Sequence, residues 1–198
     1  MVVIIDYGMG NVSSVQKALS FLKIESIITS NHDIIKKAEF IILPGVGSFL
    51  QGMKNLNENG LVELLTDEVI VKKKKFLGIC LGMQLIMDQG EEPFQCHGLG
   101  WIKGTVTKIQ QKDLCVPHMG WNNIDVLNDK YFTKGLKNDF YFVHSYHVIP
   151  EVSDVIAATV NYGSDIVASI QKDNIFATQF HPEKSQDVGL ELLNKILS

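Results

Sequence analysis

The chain of 198 residues contains no arginine, and all 18 of its basic side chains are lysine. Without a guanidinium it has no planar fork for bidentate capture of phosphate or carboxylate. A phosphorylated substrate, if one takes part, is expected to be held by another subunit. Cysteine is sparse as well. Cys80, Cys96 and Cys115 are odd in number and fit neither a disulfide framework nor zinc-ligand spacing. They fit a reducing, cytoplasmic setting, which a reactive thiol requires. No stretch approaches the roughly 20 apolar residues of a membrane span. Residues 1–6 lack the basic region and apolar length of a signal peptide, so none is expected. A net charge of -4 argues against general affinity for nucleic acid or anionic membrane.

What is present reads as one folded domain over residues 1–198, with 45% hydrophobic residues to fill a core. Residues 2–5 form a continuous apolar run, the mark of a strand covered on both faces. A glycine-rich turn follows at 6–10, and Val12, Val15, Leu19 and Leu22 then recur at helical spacing. Gly8-Met9-Gly10 lacks the third glycine of a dinucleotide fingerprint and the lysine of a P-loop, so a nucleotide loop is not supported. Residues 26–29 and 40–43 give a second and third strand, 61–71 a helix, and 72–75 four lysines suited to a solvated helix end. This alternation predicts an α/β, flavodoxin-like doubly wound sheet. From Gly98 onward the pattern changes. Short alternating runs at 101–109, 123–126, 140–143 and 155–160 predict antiparallel strands added to the parallel core in the C-terminal half. Residues 166–171 and 175–180 flank a three-residue link and predict a hairpin, and 188–197 a closing helix.

The chain is organised around Gly78-Ile79-Cys80-Leu81-Gly82. Residues 76–79 have buried-strand character and 81–87 continue as an apolar-rich helix, with Cys80 on the turn between. Glycine two residues either side of a cysteine is the thiol counterpart of the nucleophile elbow, a turn too sharp for side chains at the flanks. The helix N-terminus then favours thiolate. Taken alone, the same spacing also describes a buried cysteine between two packing glycines.

The tail supplies what a nucleophile needs. After an apolar run at 175–180 comes His181-Pro182-Glu183. A nucleophilic thiol requires a base that later acts as acid, and that base requires an orienter. On an extended segment, which Pro182 favours, His181 and Glu183 project to one side. Cys80, His181 and Glu183 thus read as nucleophile, acid/base and orienter. In Pro44-Gly45-Val46-Gly47, after the third strand, two glycines free the backbone so that its amides can serve a developing oxyanion; a plain strand-to-helix turn has the same spacing. His118, His144 and His147 have no matching carboxylate or cysteine cluster around them, so no metal site is expected. Cys96 and Cys115 lack an elbow or a paired base and read as structural.

Gly78-Ile79-Cys80-Leu81-Gly82-Met83-Gln84 with His181-Pro182-Glu183 resembles the class I (triad) glutamine amidotransferases. Further motifs narrow the likeness: Asp6-Tyr7-Gly8-Met9-Gly10-Asn11, Leu43-Pro44-Gly45-Val46-Gly47, Pro117-His118-Met119-Gly120-Trp121-Asn122, Tyr141-Phe142-Val143-His144-Ser145-Tyr146 and Glu183-Lys184-Ser185. Over the whole chain they are similar to the glutaminase subunits of imidazole glycerol phosphate synthases. The resemblance implies the class I glutamine amidotransferase fold and hydrolysis of L-glutamine without a cofactor. It implies delivery of ammonia to a (β/α)8-barrel cyclase partner, as a heterodimer, for imidazole glycerol phosphate synthesis in histidine biosynthesis. The amides of Val46, Gly47 and Leu81 would hold the oxyanion. Gln84, Glu92, Ser145 and Tyr146 would grip the substrate, and Asn11, Met119, Trp121, Tyr141 and Lys184 would face the partner. Departures from the family pattern lie near Ser13 and Ser14, where a basic residue is common, and at His147, where an aromatic is. Two alternatives stay open: a paralogue feeding ammonia to amidination of a bacterial surface sugar, and an inactive regulatory relative.

Overall fold

The computed structural model describes residues 1–111, 114–132 and 138–198. In the first half, strands β1 (Val2–Ile5), β2 (Ser26–Thr29), β3 (Phe40–Gly45) and β4 (Lys75–Cys80) alternate with helices α1 (Val12–Phe21), α2 (His32–Lys36), α3 (Phe49–Glu58) and α4 (Leu61–Thr66). The second half opens with α5 (Leu81–Leu85), β5 (Met87–Gly90), β6 (Cys96–His97) and β7 (Ile102–Lys108). It continues through β8 (His118–Val126), β9 (Asp139–His144), β10 (Tyr146–Pro150), β11 (Ile156–Asn161), β12 (Asp165–Lys172) and β13 (Ile175–Thr178), and closes with α6 (Gln186–Leu197).

A nine-stranded sheet runs in the order β2-β1-β3-β4-β13-β12-β11-β8-β9. Its first five strands are parallel, and every residue of β1 and β3 is buried, as apolar runs covered on both faces must be. Beyond β13 the pairing turns antiparallel. A smaller sheet, β10-β7-β5-β6, packs alongside.

Several expectations change. The 101–109 strand, β7, is not added to the parallel core but lies in the smaller sheet, antiparallel to β10 and parallel to β5. The 175–180 run does form a hairpin with β12, but its strand β13 also pairs in parallel with β4, so it belongs to the parallel core. That pairing carries the functional consequence. Ile79 sits opposite Thr178 and Cys80 opposite Gly45, so the turn after β4 lies between the ends of β3 and β13. The helix expected at 81–87 stops at Leu85, and Met87 enters a strand paired in parallel with β7. Leu85, Ile86 and Met87 are fully buried, and periodicity does not separate helix from strand in such a run. The helix expected at 61–71 is α-helical only to Thr66 and continues as a π-helical turn, Asp67–Val71.

The four lysines are not simply a solvated helix end. Lys72 and Lys74 both pair with Glu68, whose side chain is 1% exposed. A buried carboxylate without such partners would be costly, and the two ammonium groups hold its pKa below the usual value despite burial. At the other end of the site, Phe180 is fully buried, stacked on Phe140 at 4.0 Å and edge-on to Phe142 at 5.6 Å. Burial of one such ring stabilises by about 1.5–3 kcal/mol, and it fixes the backbone immediately before His181.

Candidate active site

Cys80 closes β4 with φ 54 and ψ -105, a left-handed backbone that a residue with a side chain adopts only under constraint. The constraint is visible on both sides. A Cβ on Gly82 would lie 1.8 Å from the Leu43 carbonyl oxygen, and one on Gly78 would lie 2.8 Å from the Gly82 carbonyl oxygen. The turn therefore demands glycine at both flanks and lifts the cysteine out of the strand. Cys80 is 6% exposed and reaches a cleft of about 370 Å³.

His181 lies wholly buried next to that turn, in extended conformation, with its Nδ1 2.7 Å from Glu183 Oε1. The expected geometry is corrected in one respect. Pro182–Lys184 form a 3-10 turn, so Glu183 curls back beneath the imidazole instead of alternating along a strand. Asn11 Nδ2 also donates to Glu183 Oε1, from a left-handed position ahead of α1. Burial opposes charge on His181, but the Cys80 sulfur and then Glu183 outweigh it and raise its pKa. Its Nε2 has no partner in full hydrogen-bond alignment, so the attraction between ring and sulfur is mainly one of charge.

The cleft is lined by Val46, Gly47, Leu81, Gln84, Glu92, Ser145 and Tyr146, which gathers the expected oxyanion and substrate residues around Cys80. Two details refine their roles. The Val46 amide donates to the Met9 carbonyl at 3.1 Å and is therefore not aimed at the cleft. The Leu81 amide, at the first position of α5, has no acceptor within its own helix. Glu92 Oε2 accepts from the Phe49 amide at 3.1 Å, and burial raises its pKa against that bond. The Tyr146 carbonyl accepts from Gln84 Nε2 at 3.0 Å and from His144 Nδ1 at 2.9 Å.

The histidines outside the pair form a hydrogen-bonded string. Because His144 Nδ1 donates to a carbonyl, its Nε2 accepts, here from His118 Nδ1 at 3.0 Å. His118 Nε2 then accepts from Asn122 Nδ2 at 3.3 Å. Both rings are neutral: burial lowers His118 to about 4 and His144 to about 3. Among the described residues no three His, Cys, Asp or Glu side chains gather as a metal site. Of the residues expected to face a partner, Met119 and Trp121 are 62% and 49% exposed, and Lys184 is exposed. Tyr141 meets the Trp121 ring edge-on at 6.2 Å. Asn11 points inward instead. One residue escaped the sequence reading. Gln179, buried between β13 and His181, places its Nε2 3.6 Å from the Cys80 sulfur. Only its place two residues before His181 could have drawn attention to it.

Residues 3–197 match the family model described as glutamine amidotransferase class-I. The chain is 48% identical over 200 residues to imidazole glycerol phosphate synthase subunit HisH 1 of Campylobacter jejuni (strain RM1221), covering 100% of this chain and 99% of that one. It is 43% identical to imidazole glycerol phosphate synthase subunit HisH of Pelagibacter ubique (strain HTCC1062), over 100% and 99% of the two chains. The fold is that of a solved glutamine amidotransferase (TM-score 0.73, 19% identity, all of both chains). It is also that of a chain in PurLQS from Thermotoga maritima (TM-score 0.72, 17% identity, 99% and 96% covered). With the strained cysteine turn, the cleft above it and a full-length family match, this chain belongs to the class I glutamine amidotransferases.

Proposed function

We propose that the chain is the glutaminase subunit of an imidazole glycerol phosphate synthase, releasing ammonia from L-glutamine for a cyclase subunit in histidine biosynthesis. The observation that carries the chemistry is Cys80, strained at the floor of the cleft, with His181 and Glu183 paired beside it. The Cys80 thiolate attacks the side-chain amide carbon, forming a C–S bond and an oxyanion. The Leu81 amide, and an amide of the Val46–Gly47 segment once it turns, donate to that oxyanion. The C–N bond then breaks, and His181 gives its proton to the departing ammonia. Water attacks the thioester and passes a proton to His181. The C–S bond breaks, and glutamate leaves with the thiolate restored.

Gln84, Glu92, Ser145 and Tyr146 hold the rest of the substrate. The Glu92 carboxylate suits the α-ammonium, and the Ser145–Tyr146 segment is held by the two donors on the Tyr146 carbonyl. The exposed Met119 and Trp121 side chains, with Tyr141 against the Trp121 ring, and the exposed Lys184 form the surface for the barrel-shaped cyclase. Asn11 supports Glu183 from behind that surface, so it belongs to the triad's surroundings. No described helix is long and apolar enough to cross a membrane, and we place the complex in the reducing cytoplasm, where a free thiol persists.

In the complex, Cys80→Ala is expected to abolish glutamine-dependent synthesis and to spare synthesis from added ammonium salt. Loss of both activities would make Cys80 structural and sink the mechanism. If no histidine-pathway cyclase takes up the ammonia, another acceptor reaction is the destination.

A further inference from the structure

Gln179 lies at the end of β13 with its side chain fully enclosed, and its backbone amide is tied to Ala168 O at 2.8 Å. Which end of its amide faces the sulfur follows from a series of forced choices. The Tyr146 carbonyl can only accept, so Gln84 must present its NH2 group there. The same nitrogen lies 3.1 Å from the Gln179 amide and must meet the oxygen of that group. Gln179 therefore turns its NH2 toward Cys80 Sγ, 3.6 Å away. The flipped amide would set two NH2 groups face to face in a buried site and leave donors unpaired there, which is costly.

We propose that Gln179 is a positioning residue for the nucleophile: its N–H, oriented through Gln84 by the Tyr146 carbonyl, holds the Cys80 sulfur and favours its thiolate form. A hydrogen bond to a charged form stabilises that form, and here bulk water is excluded from the side of the sulfur that Gln179 covers. The bond also restrains the side-chain torsion of Cys80. Other groups around the sulfur act as well, and the Val143 carbonyl, 4.0 Å away, is an acceptor that favours the protonated thiol. His181, from the segment after β13, favours thiolate, and Glu183 behind it favours the imidazolium. Tyr7, after β1, stays a neutral phenol because burial and then the Cys80 charge raise its pKa. His144, from β9, is neutral through burial. None of these takes the place of a neutral donor fixed at the sulfur.

The inference rests on Cys80 being the nucleophile, and the test keeps the two apart. In the full chain carrying Cys96→Ser and Cys115→Ser, the rate of Cys80 alkylation by iodoacetamide is measured against pH, with thermal melts to confirm folding. The unaltered Gln179 chain supplies the reference midpoint, and its glutaminase activity is expected to fall in step with Cys80 alkylation. Gln179→Met, unbranched and of similar volume, is expected to move the midpoint up by about one unit, roughly a tenfold slower reaction at a fixed pH below it. Gln179→Glu, which still offers Gln84 an acceptor, is expected to move it further by placing a carboxylate at the sulfur. Should the Met variant fail to fold, the Glu variant decides. A midpoint that stays the same in both folded variants overturns the role of Gln179 alone. Glutaminase activity that survives complete Cys80 alkylation overturns Cys80 as nucleophile, and the inference with it.

Discussion

Two glycine-framed turns leave the carboxyl ends of neighbouring parallel strands, β3 and β4, and they differ at the glycine that closes each turn. At Cys80 the flanking glycines press against backbone, with the Leu43 carbonyl oxygen 1.8 Å from where a Gly82 Cβ would stand. Backbone in the middle of a sheet does not move aside. At the other turn Gly45 is also tightly held, with the buried Tyr7 hydroxyl 2.1 Å from where its Cβ would stand. On the far side, however, Gly47 (φ 108) faces only the Cε of Met9 at 3.1 Å, the tip of a flexible side chain, and Val46 is 38% exposed. A single bond from the Val46 amide to the Met9 carbonyl keeps that amide away from the cleft. The nucleophile and the Leu81 amide beside it are thus locked, while the oxyanion donor of the Val46–Gly47 segment can shift. Control of the reaction is easier to exert on the second turn, since breaking one backbone hydrogen bond costs only about 0.5–1.5 kcal/mol net.

The comparison can be broken from either side. The largest effect is expected for Gly82→Ala. A methyl group driven into the Leu43 carbonyl must displace β3 or the elbow, so glutaminase activity should fall below detection even where the variant folds. Near-normal turnover by Gly82→Ala would show that the elbow is not locked. On the adaptable side, Gly47→Pro deletes an amide and cannot adopt φ 108. Loss of one oxyanion donor costs about 10²–10³ in kcat, so activation by the partner should disappear while glutamine still binds by calorimetry.

A smaller effect is expected at the far end of the nucleophile strand, where Lys74 and Lys72 neutralise buried Glu68. Lys74→Met removes the ion pair with Glu68 and the donor to the Ile35 and Lys36 carbonyls, and should lower stability by about 1–3 kcal/mol in chemical denaturation, with little change in kcat. The sign of its pH dependence follows from Glu68, whose folded pKa is lowered. The stabilisation is present above the unfolded value of about 4.3 and is lost as pH falls through the folded one. In the variant that acid-dependent loss should shrink. An unchanged acid profile would mean that Lys74 contributes nothing to holding β4.

Much of this was legible in the residues. The continuous apolar runs of β1 and β3 gave the parallel sheet, and Gly78 and Gly82 marked the turn whose geometry permits nothing else. What stayed hidden depended on pairing between distant segments. A strand such as Ile175–Thr178 reads the same whether its neighbours are parallel or antiparallel, so its place beside β4 could not be seen. Lys74 looks solvated until the fold brings buried Glu68 under it. The resemblance set Asn11 toward the partner, whereas from its left-handed position ahead of α1 its side chain reaches Glu183. Gln179 was missed because a polar residue at a strand end has many explanations, and its one informative neighbour, Cys80, lies far away in sequence.

The central claim, a locked nucleophile served by a donor that must turn, is tested most directly by steady-state glutamine hydrolysis with and without the cyclase and its acceptor ligand. A partner that favours the turned state shifts an existing equilibrium and leaves the cysteine, histidine and glutamate as they are. The account predicts a slow isolated chain and an increase of at least about 10²-fold, mostly in kcat, in the fully liganded complex. An isolated chain that already hydrolyses glutamine at the rate of the liganded complex would contradict it.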